Sequence, residues 1–334
     1  MKYLLFFILI PVLFLTDIMV GSRFYDFGVL TDYLSGNLTG GTFKVLHGVR
    51  LPRAITALIF GGALSVAGLL MQTFFRNPLA GPSVLGLTSG SSLGVAVAVM
   101  AGSMFGPEFT GWVSLLSYVI FAVAGGLLSL LLILGVSTRI KSNVTLLIFG
   151  LMFGYIASSA VSVLASFSGE KELKEFVHWG FGSFGKVDSY ALLGCLSLGI
   201  LVLFGITFGL QKKLNAWLLG DVYARSIGVD TKKIRWTILI TAGLLTATVT
   251  AFCGPIAFLG LSVPHLAKGW FKSSDHRVLI PGCLLIGICL ALFCDIVAKV
   301  PGYSDLTLPL NAVTSVIGAP IVIFVLLKNR RAVG

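Results

Sequence analysis

Long apolar stretches recur along the whole chain, and shorter polar segments separate them. A helix that crosses a membrane needs about 20 mostly apolar residues. Of the 334 residues, 56% are hydrophobic and 11% are charged, which excludes an ordinary soluble domain. We expect an all-α, polytopic membrane protein that forms a single domain over residues 1–334. The ten predicted spans are 1–20, 50–71, 82–101, 112–135, 142–166, 189–210, 234–253, 255–270, 278–299 and 307–327.

The basic residues predict the orientation, because cytoplasmic segments of membrane proteins are enriched in Lys and Arg. With the amino terminus inside, 16 of the 24 basic residues lie in inner segments, together with only three acids, Asp221, Asp230 and Asp275. Both termini are then cytoplasmic, and the net charge of +11 reflects topology rather than nucleic-acid binding. The first stretch could instead be a signal peptide. No small-x-small cleavage site precedes Gly21, which favours a retained span.

Residues 211–236 form the longest polar interruption in the second half and carry six basic residues. Asn215 and Asp221 can each cap a short helix. Gly228 can end the second of these helices, and Asp230 or Thr231 can begin the next. Two short helices at a membrane surface would form a docking knob for a partner. The alternative is a solvated loop whose lysines only fix the topology.

Residues that could carry catalysis or hold a metal are not grouped in the sequence. Residues 180–187 (GFGSFGKV) approach a phosphate-binding P-loop, but Val187 replaces the Ser or Thr that would hold magnesium, and no strand precedes the loop. We therefore expect no cofactor, no ATP site and no metal site in this chain, and no enzyme activity. Asp295, within a predicted span, is either a functional acid or the ion-pair partner of Lys299 one turn later.

Two further patterns concern the interior of the predicted bundle. Small residues around Gly86, Thr88, Ser89 and Gly90 could either allow close helix packing or line a weakly polar path for a bulky solute.

Residues 81–87 (GPSVLGL) are loosely repeated at 254–261 (GPIAFLGL). The two segments open their spans from opposite sides, as an inverted repeat would, so such a repeat is possible.

Several motifs then resemble those of a known family, the FecCD-type permeases, which are the membrane subunits of bacterial ABC importers for iron-siderophores, haem and vitamin B12. The resemblance spans almost the whole chain. The matching residues are Arg50-Leu51-Pro52-Arg53, Gly61-Gly62-Ala63-Leu64, Gly68, Met71-Gln72, Asn77-Pro78-Leu79-Ala80-Gly81-Pro82, Trp179-Gly180, Gly182-Ser183, Leu219-Gly220, Ala224-Arg225, Gly228-Val229, Gly254, Gly260-Leu261, Val263-Pro264-His265, Asp275-His276-Arg277, Pro281-Gly282, Asp295-Ile296-Val297-Ala298 and Gly318-Ala319-Pro320.

The resemblance implies a homodimer in the bacterial inner membrane, with two ATPase subunits below and a substrate-binding protein above. ATP and magnesium would then lie on the ATPases. The resemblance also implies three groups of site residues. They are a coupling element at about 214–230 with Leu219, Gly220, Asp221, Ala224, Arg225 and Gly228; a cytoplasmic gate at Asn77, Leu79 and Asn143; and binding-protein docking at Arg50, Arg53 and Lys299.

Further expectations concern Ala224, Lys299 and residues 301–304, and both the outer cations and the class of protein allow an alternative interpretation. The small Ala224 is expected to permit close approach of the ATPase. Lys299 stands where many members have arginine, and residues 301–304 (PGYS) match no pattern of the family. The arginines and Lys299 could also be snorkelling anchors at the lipid headgroups. A secondary carrier, a channel and a membrane-embedded enzyme are the alternative classes. The resemblance implies an iron chelate (siderophore or haem) or cobalamin as the cargo.

Overall fold

The structure, a computed structural model, describes residues 2–101, 115–140, 142–300 and 307–330. No strand occurs in these ranges, and the fold is an all-α bundle. Its α-helices, in chain order, are α1 (Leu4–Met19), α2 (Phe27–Leu34), α3 (Gly40–Val45), α4 (Leu51–Phe75), α5 (Leu87–Ala96), α6 (Leu115–Arg139), α7 (Asn143–Ser166), α8 (Glu170–Gly180), α9 (Tyr190–Gly209), α10 (Gln211–Leu218), α11 (Asp221–Ser226), α12 (Thr231–Cys253), α13 (Leu259–Phe271), α14 (His276–Ala298) and α15 (Leu310–Arg330).

Six helices of the described ranges are long and apolar enough to cross a membrane, namely α4 with the turns before it, α6, α7, α9, α12 and α14. Shorter apolar helices occur at α1, at α5 and at α15. The predicted all-α, membrane-spanning character is therefore confirmed. The count of ten spans and the cytoplasmic position of both termini stay predictions.

Helix α4 forms the centre of the bundle, and 83% of its most apolar stretch is buried. Small residues allow its neighbours to touch its backbone. A Cβ atom added to Gly68 would lie 1.7 Å from the carbonyl oxygen of Gly260 in α13, and one added to Gly61 would lie 2.2 Å from Ala291 Cβ in α14. With 25 residues, α4 spans roughly 37 Å. We call the end of the bundle at Arg50 the outer end and that at Arg76 the inner end, following the predicted orientation.

The two similar segments at 81–87 and 254–261 meet inside the bundle. Both have interrupted helical geometry. A 3₁₀ turn (Pro82–Leu85) precedes Gly86 in the left-handed region, and Phe258, also left-handed, precedes α13. A Cβ atom on Gly260 would lie 2.7 Å from the Pro82 ring, so the segments are in direct contact. Two broken segments facing each other are what an inverted repeat would produce, although the repeat itself stays a prediction.

Residues 22–49, which show no sustained period in the sequence, contain two helices. Asp26 caps α2 by accepting a hydrogen bond from the backbone N–H of Val29. After α3, a π-helical turn (Leu46–Arg50) leads directly into α4. These helices have only eight and six residues, so hydrophobic periodicity cannot reveal them.

Helices α7 and α9 lie at the periphery of the single chain. Only 17% and 22% of their most apolar stretches are buried. The exposed side chains are large and apolar, including Ile148 and Ile156 on α7 and Leu198 and Leu201 on α9. In a membrane protein such surfaces face lipid or another subunit.

Candidate functional site

At the outer end, four charged side chains form a buried cluster that joins α1, α4 and α14. Both carboxylate oxygens of Asp295 accept hydrogen bonds from Arg53 Nε, at 3.0 and 2.9 Å. Lys299 Nζ lies 3.1 Å from Asp295 Oδ2 and 2.8 Å from Asp17 Oδ1. Asp17 and Asp295 are completely buried. The two positive and two negative groups balance, which is what makes their burial tolerable.

This cluster decides between the two interpretations of Asp295. The predicted pairing with Lys299 is confirmed, and Arg53 is a second partner that the sequence did not reveal. Asp17 is also a site residue that sequence reasoning missed. Its signal was present, because an acid near the end of an otherwise apolar helix requires a partner.

Arg50 fixes the carboxyl end of α1. Its guanidinium donates hydrogen bonds to the carbonyl oxygens of Ile18, Met19 and Arg23 at 3.0, 2.9 and 2.7 Å. It also lies 3.9 Å from the centre of the Tyr25 ring. The last carbonyls of a helix have no partner within the helix, so Arg50 provides one. Lys299 acts similarly on the Asp17 carbonyl at 2.6 Å.

The three residues predicted to dock a binding protein thus lie together at one end of the bundle, but they are not equally accessible. Arg50 and Lys299 are each only 6% exposed and are engaged with α1. The Arg53 side chain is 15% exposed and lines a cavity of about 180 Å³ with His178 and Ser183. Residues 301–304, which match no pattern of the family, lie outside the described residues.

At the inner end, α10 and α11 form the folded knob predicted at 214–230. Leu214 and Trp217 bury the first helix against the bundle. Gly220 and Gly228 flank α11 with φ angles of +111° and +80°, conformations that glycine adopts without strain. Asp230 caps α12, as predicted. The backbone N–H of Lys233, with that of Lys232, holds the pKa of the Asp230 carboxyl below its usual value.

Three local predictions about this knob are wrong. Asn215 is not a cap: it lies within α10 and donates from Nδ2 to Asp275 Oδ1 at 2.7 Å. Asp221 is the first residue of α11 rather than its cap, and its carboxylate pairs with Arg76. Ala224, expected at the contact surface, is completely buried. A helix of six residues has one buried face, and Ala224 occupies it.

The exposed face of the knob is apolar instead. Leu219 is 65% exposed, Val222 is 85% exposed and Ile227 is 54% exposed. Arg225 lies beside them and donates from Nε to Thr231 Oγ1 at 3.1 Å.

The predicted gate residues lie next to this knob. Asn77 Oδ1 accepts from the backbone N–H of Leu79 at 2.9 Å, forming a tight turn at Pro78. Asn143 begins α7 and donates from Nδ2 to the carbonyl of Phe74 at 2.8 Å. A cavity of about 260 Å³ separates the 76–78 loop from the first turns of α7. Leu79 is 47% exposed. The structure therefore brings the loop and α7 together at one opening.

The residues predicted to line the path divide into two groups. Gly86 and Gly90 serve helix packing, because added Cβ atoms would lie 2.7 Å from Phe153 and 1.7 Å from Ser129 Oγ. Thr88 lines a cavity of about 130 Å³ between the two interrupted segments, which Leu79 also lines. Ser89 is partly exposed and lies near Gly154 of α7.

A groove of about 420 Å³ lies along α8. It is lined by Tyr118, Lys171, Lys174, Glu175, His178, Trp179 and Lys186. Lys186 Nζ donates to the carbonyl of Trp179 at 3.0 Å, and burial lowers the pKa of this lysine to about 8. The sequence did not indicate this groove. No group of His, Cys, Asp and Glu suited to a metal occurs in the described ranges.

Comparisons with known sequences and structures identify membrane transport proteins that are similar to this chain. The chain is 35% identical over 283 residues to the vitamin B12 import system permease protein BtuC of Salmonella typhi, and equally so to that of Salmonella newport. These alignments cover 85% of this chain and 83% of each relative. The solved structure of a metal-chelate type ABC transporter in an inward-facing conformation superposes with a TM-score of 0.83 at 28% identity, covering 97% of both chains. The sequence model of the FecCD transport family matches residues 8–328. The chain belongs to the FecCD transport family.

Proposed function

We propose that the chain is the permease subunit of a binding-protein-dependent ABC importer. Two copies would form the path through the bacterial inner membrane, with ten spans in each copy, both termini in the cytoplasm and lipid around the dimer. Two separate ATPase subunits would hold ATP and magnesium, and a binding protein would deliver an iron chelate (siderophore or haem) or cobalamin. Membership of the FecCD transport family and the names of the relatives support this function.

The observation that carries the proposal is the apolar surface of the inner knob. Val222 is 85% exposed at the tip of an element that buried Trp217 and Ala224 hold from behind. Exposed apolar side chains on a rigid, basic element mark a protein interface. A solvated loop that only fixes topology requires neither the apolar tip nor the buried anchors. We therefore assign Leu219, Val222 and Ile227 to the ATPase contact.

The groove along α8 supports an anionic cargo. Its three lysines outnumber its single glutamate. Carboxylate groups of a ferric chelate would pair with the lysines of this groove at close range. These lysines favour an iron chelate over cobalamin.

Docking of the binding protein remains a proposal for Arg50, Arg53 and Lys299. Arg53 is the side chain best placed to meet a carboxylate directly. Arg50 and Lys299 would first have to leave the carbonyls of α1. Their contribution to docking therefore depends on a rearrangement, whereas Arg53 is partly exposed at the cavity and would share its guanidinium between Asp295 and the partner.

Reconstitution tests the function. The chain would be placed in vesicles with its ATPase, and uptake of labelled ferric siderophore, haem and cyanocobalamin would be measured in competition. We expect uptake of one of these compounds only with the binding protein, the ATPase and ATP. Uptake without the ATPase would identify a secondary carrier or channel. Chemical conversion of a compound would indicate an enzyme.

A pair of substitutions tests the ATPase contact. We expect Val222→Arg to abolish co-purification of the ATPase while the chain remains folded, and Val222→Leu to preserve it. Ala224→Trp is a poorer test, because the new ring would displace α11 from the bundle. Normal ATPase binding by Val222→Arg would contradict the proposed contact.

A further inference from the structure

The last turn of α4 is the point where the proposed gate and the proposed ATPase contact meet. The carbonyl of Phe74 accepts two hydrogen bonds, from Asn143 Nδ2 at 2.8 Å and from Trp217 Nε1 at 3.2 Å. The Trp217 indole also stacks on the Phe74 ring, with centroids 5.8 Å apart and planes 11° apart. A carbonyl oxygen has two lone pairs, and both are used here. The knob and α7 are thus attached to the same atom.

Arg76 makes a second connection two residues later. Its Nε donates to the carbonyl of Trp217 at 2.9 Å, and its terminal nitrogen forms an ion pair with Asp221, the first residue of α11. The guanidinium also lies 5.3 Å from the centre of the Trp217 ring. One side chain therefore contacts the end of α10 and the start of α11. Asn77, the first predicted gate residue, is its neighbour in the chain.

The backbone of Arg76 is in the left-handed region, with φ of +48°. A non-glycine residue is strained in this conformation, so surrounding contacts have to maintain it. The loop that follows is attached at Pro78, whose carbonyl accepts from His265 Nε2 of α13 at 2.9 Å. The loop is thus held by α13 on one side and by the knob on the other.

We propose that Arg76 is a positioning residue that transmits movement of α11 to the 77–79 loop through Asp221 and Trp217. The inference rests on the proposed function, which makes α11 the ATPase contact and the loop part of a gate. Static stability does not explain the pair. The side chains of Arg76 and Asp221 are 34% and 41% exposed, and exposed ion pairs add little to the stability of a fold. Disrupting the pair should therefore leave the fold intact and change only the coupling.

The test measures loop movement in the complete complex of permease and ATPase. A fluorescent label is attached at Leu79→Cys, in a background with Cys195→Ser because Cys195 is the exposed cysteine among the five. ATP with vanadate is added, and the change in label signal is recorded. In Arg76→Gln we expect most of this change to be lost. ATPase binding should stay normal. Arg277→Gln, an exposed inner-end arginine of α14, is the control with the same loss of charge and should respond like the parent.

Exchanging the two residues of the Arg76–Asp221 ion pair distinguishes an effect on coupling from an effect on folding. We expect Asp221→Arg alone to lose the response and Asp221→Arg with Arg76→Asp to recover at least part of it. An equal response of the label in Arg76→Gln and the parent would overturn the inference and leave the proposed function intact. A label that does not respond to ATP in the parent complex would overturn both. Loss of the response in Arg76→Gln without recovery in the exchanged pair would overturn the role of the ion pair.

Discussion

Neutralising Asp295 tests whether the outer charge cluster stabilises the fold. The Asp295→Asn substitution keeps the size of the side chain and removes one of the two negative charges. Arg53 and Lys299 then share only Asp17 as a counter-ion, in a site where Lys299 is 6% exposed. Removing one partner of a buried ion pair costs about 3–5 kcal/mol. The asparagine amide keeps one acceptor oxygen but turns its NH2 group toward Arg53 or Lys299, so we expect a loss within that range.

The assay is thermal unfolding of the purified chain in detergent or nanodiscs, followed by the fluorescence of its tryptophans. Asp188→Asn is the control, because Asp188 is an exposed acid of the outer end. We expect a clear fall in the unfolding temperature for Asp295→Asn and none for Asp188→Asn.

A second substitution checks the cause. Arg53→Gln together with Asp295→Asn restores the charge balance, leaving Asp17 opposite Lys299 at 2.8 Å. We expect the double variant to lose less stability than the sum of the two single losses, since partners in one network do not contribute independently. Additive losses, or an Asp295→Asn variant as stable as the Asp188→Asn control, would refute the argument from charge balance.

Three further predictions concern the gate, the outer face and the packing of α4. Leu79→Ala with Asn143→Ala should raise leak of substrate from vesicles without ATP, and unchanged leak would remove both residues from the gate. Arg50→Glu with Arg53→Glu should abolish docking at low salt and uptake, and because both arginines also hold buried partners, the loss counts as a docking effect only where the size-exclusion profile and ATPase binding match the parent. Partner glutamates changed to lysine should then restore part of the docking. Normal docking would support a purely internal role. Gly68→Leu should reduce the yield of folded protein, as judged by size-exclusion profile, because the carbonyl of the neighbouring helix occupies the space of the new side chain.

The sequence allowed prediction of the features that repeat along the chain. Apolar stretches of about 20 residues define helices whatever their neighbours are, so the long spans were predicted to within a few residues. The capping by Asp230 and the stop at Gly228 depend only on local chemistry and were also predicted.

Pairings between distant residues could not be predicted in the same way. Asp17 and Lys299 are 282 positions apart, and a single sequence gives no indication of their contact. The predicted exposure of Ala224 was wrong for a related reason. In a six-residue helix, tertiary packing rather than periodicity selects the buried face. Arg50 could be interpreted as an accessible cation because the backbone carbonyls that it binds are not visible in the side-chain pattern.

The closure of α1 by Arg50 and Lys299 has a consequence for biosynthesis. α1 is among the first helices to leave the ribosome, whereas Lys299 follows it by 282 residues. At about 5–20 residues per second, translation needs on the order of 15–60 seconds to produce the second partner. During this interval Asp17 cannot form its ion pair, and its carbonyl lacks the hydrogen bond from Lys299. A nascent chain that stalls before Lys299 therefore carries an unpaired acid near the end of an apolar helix, and this defect distinguishes it from a completed one.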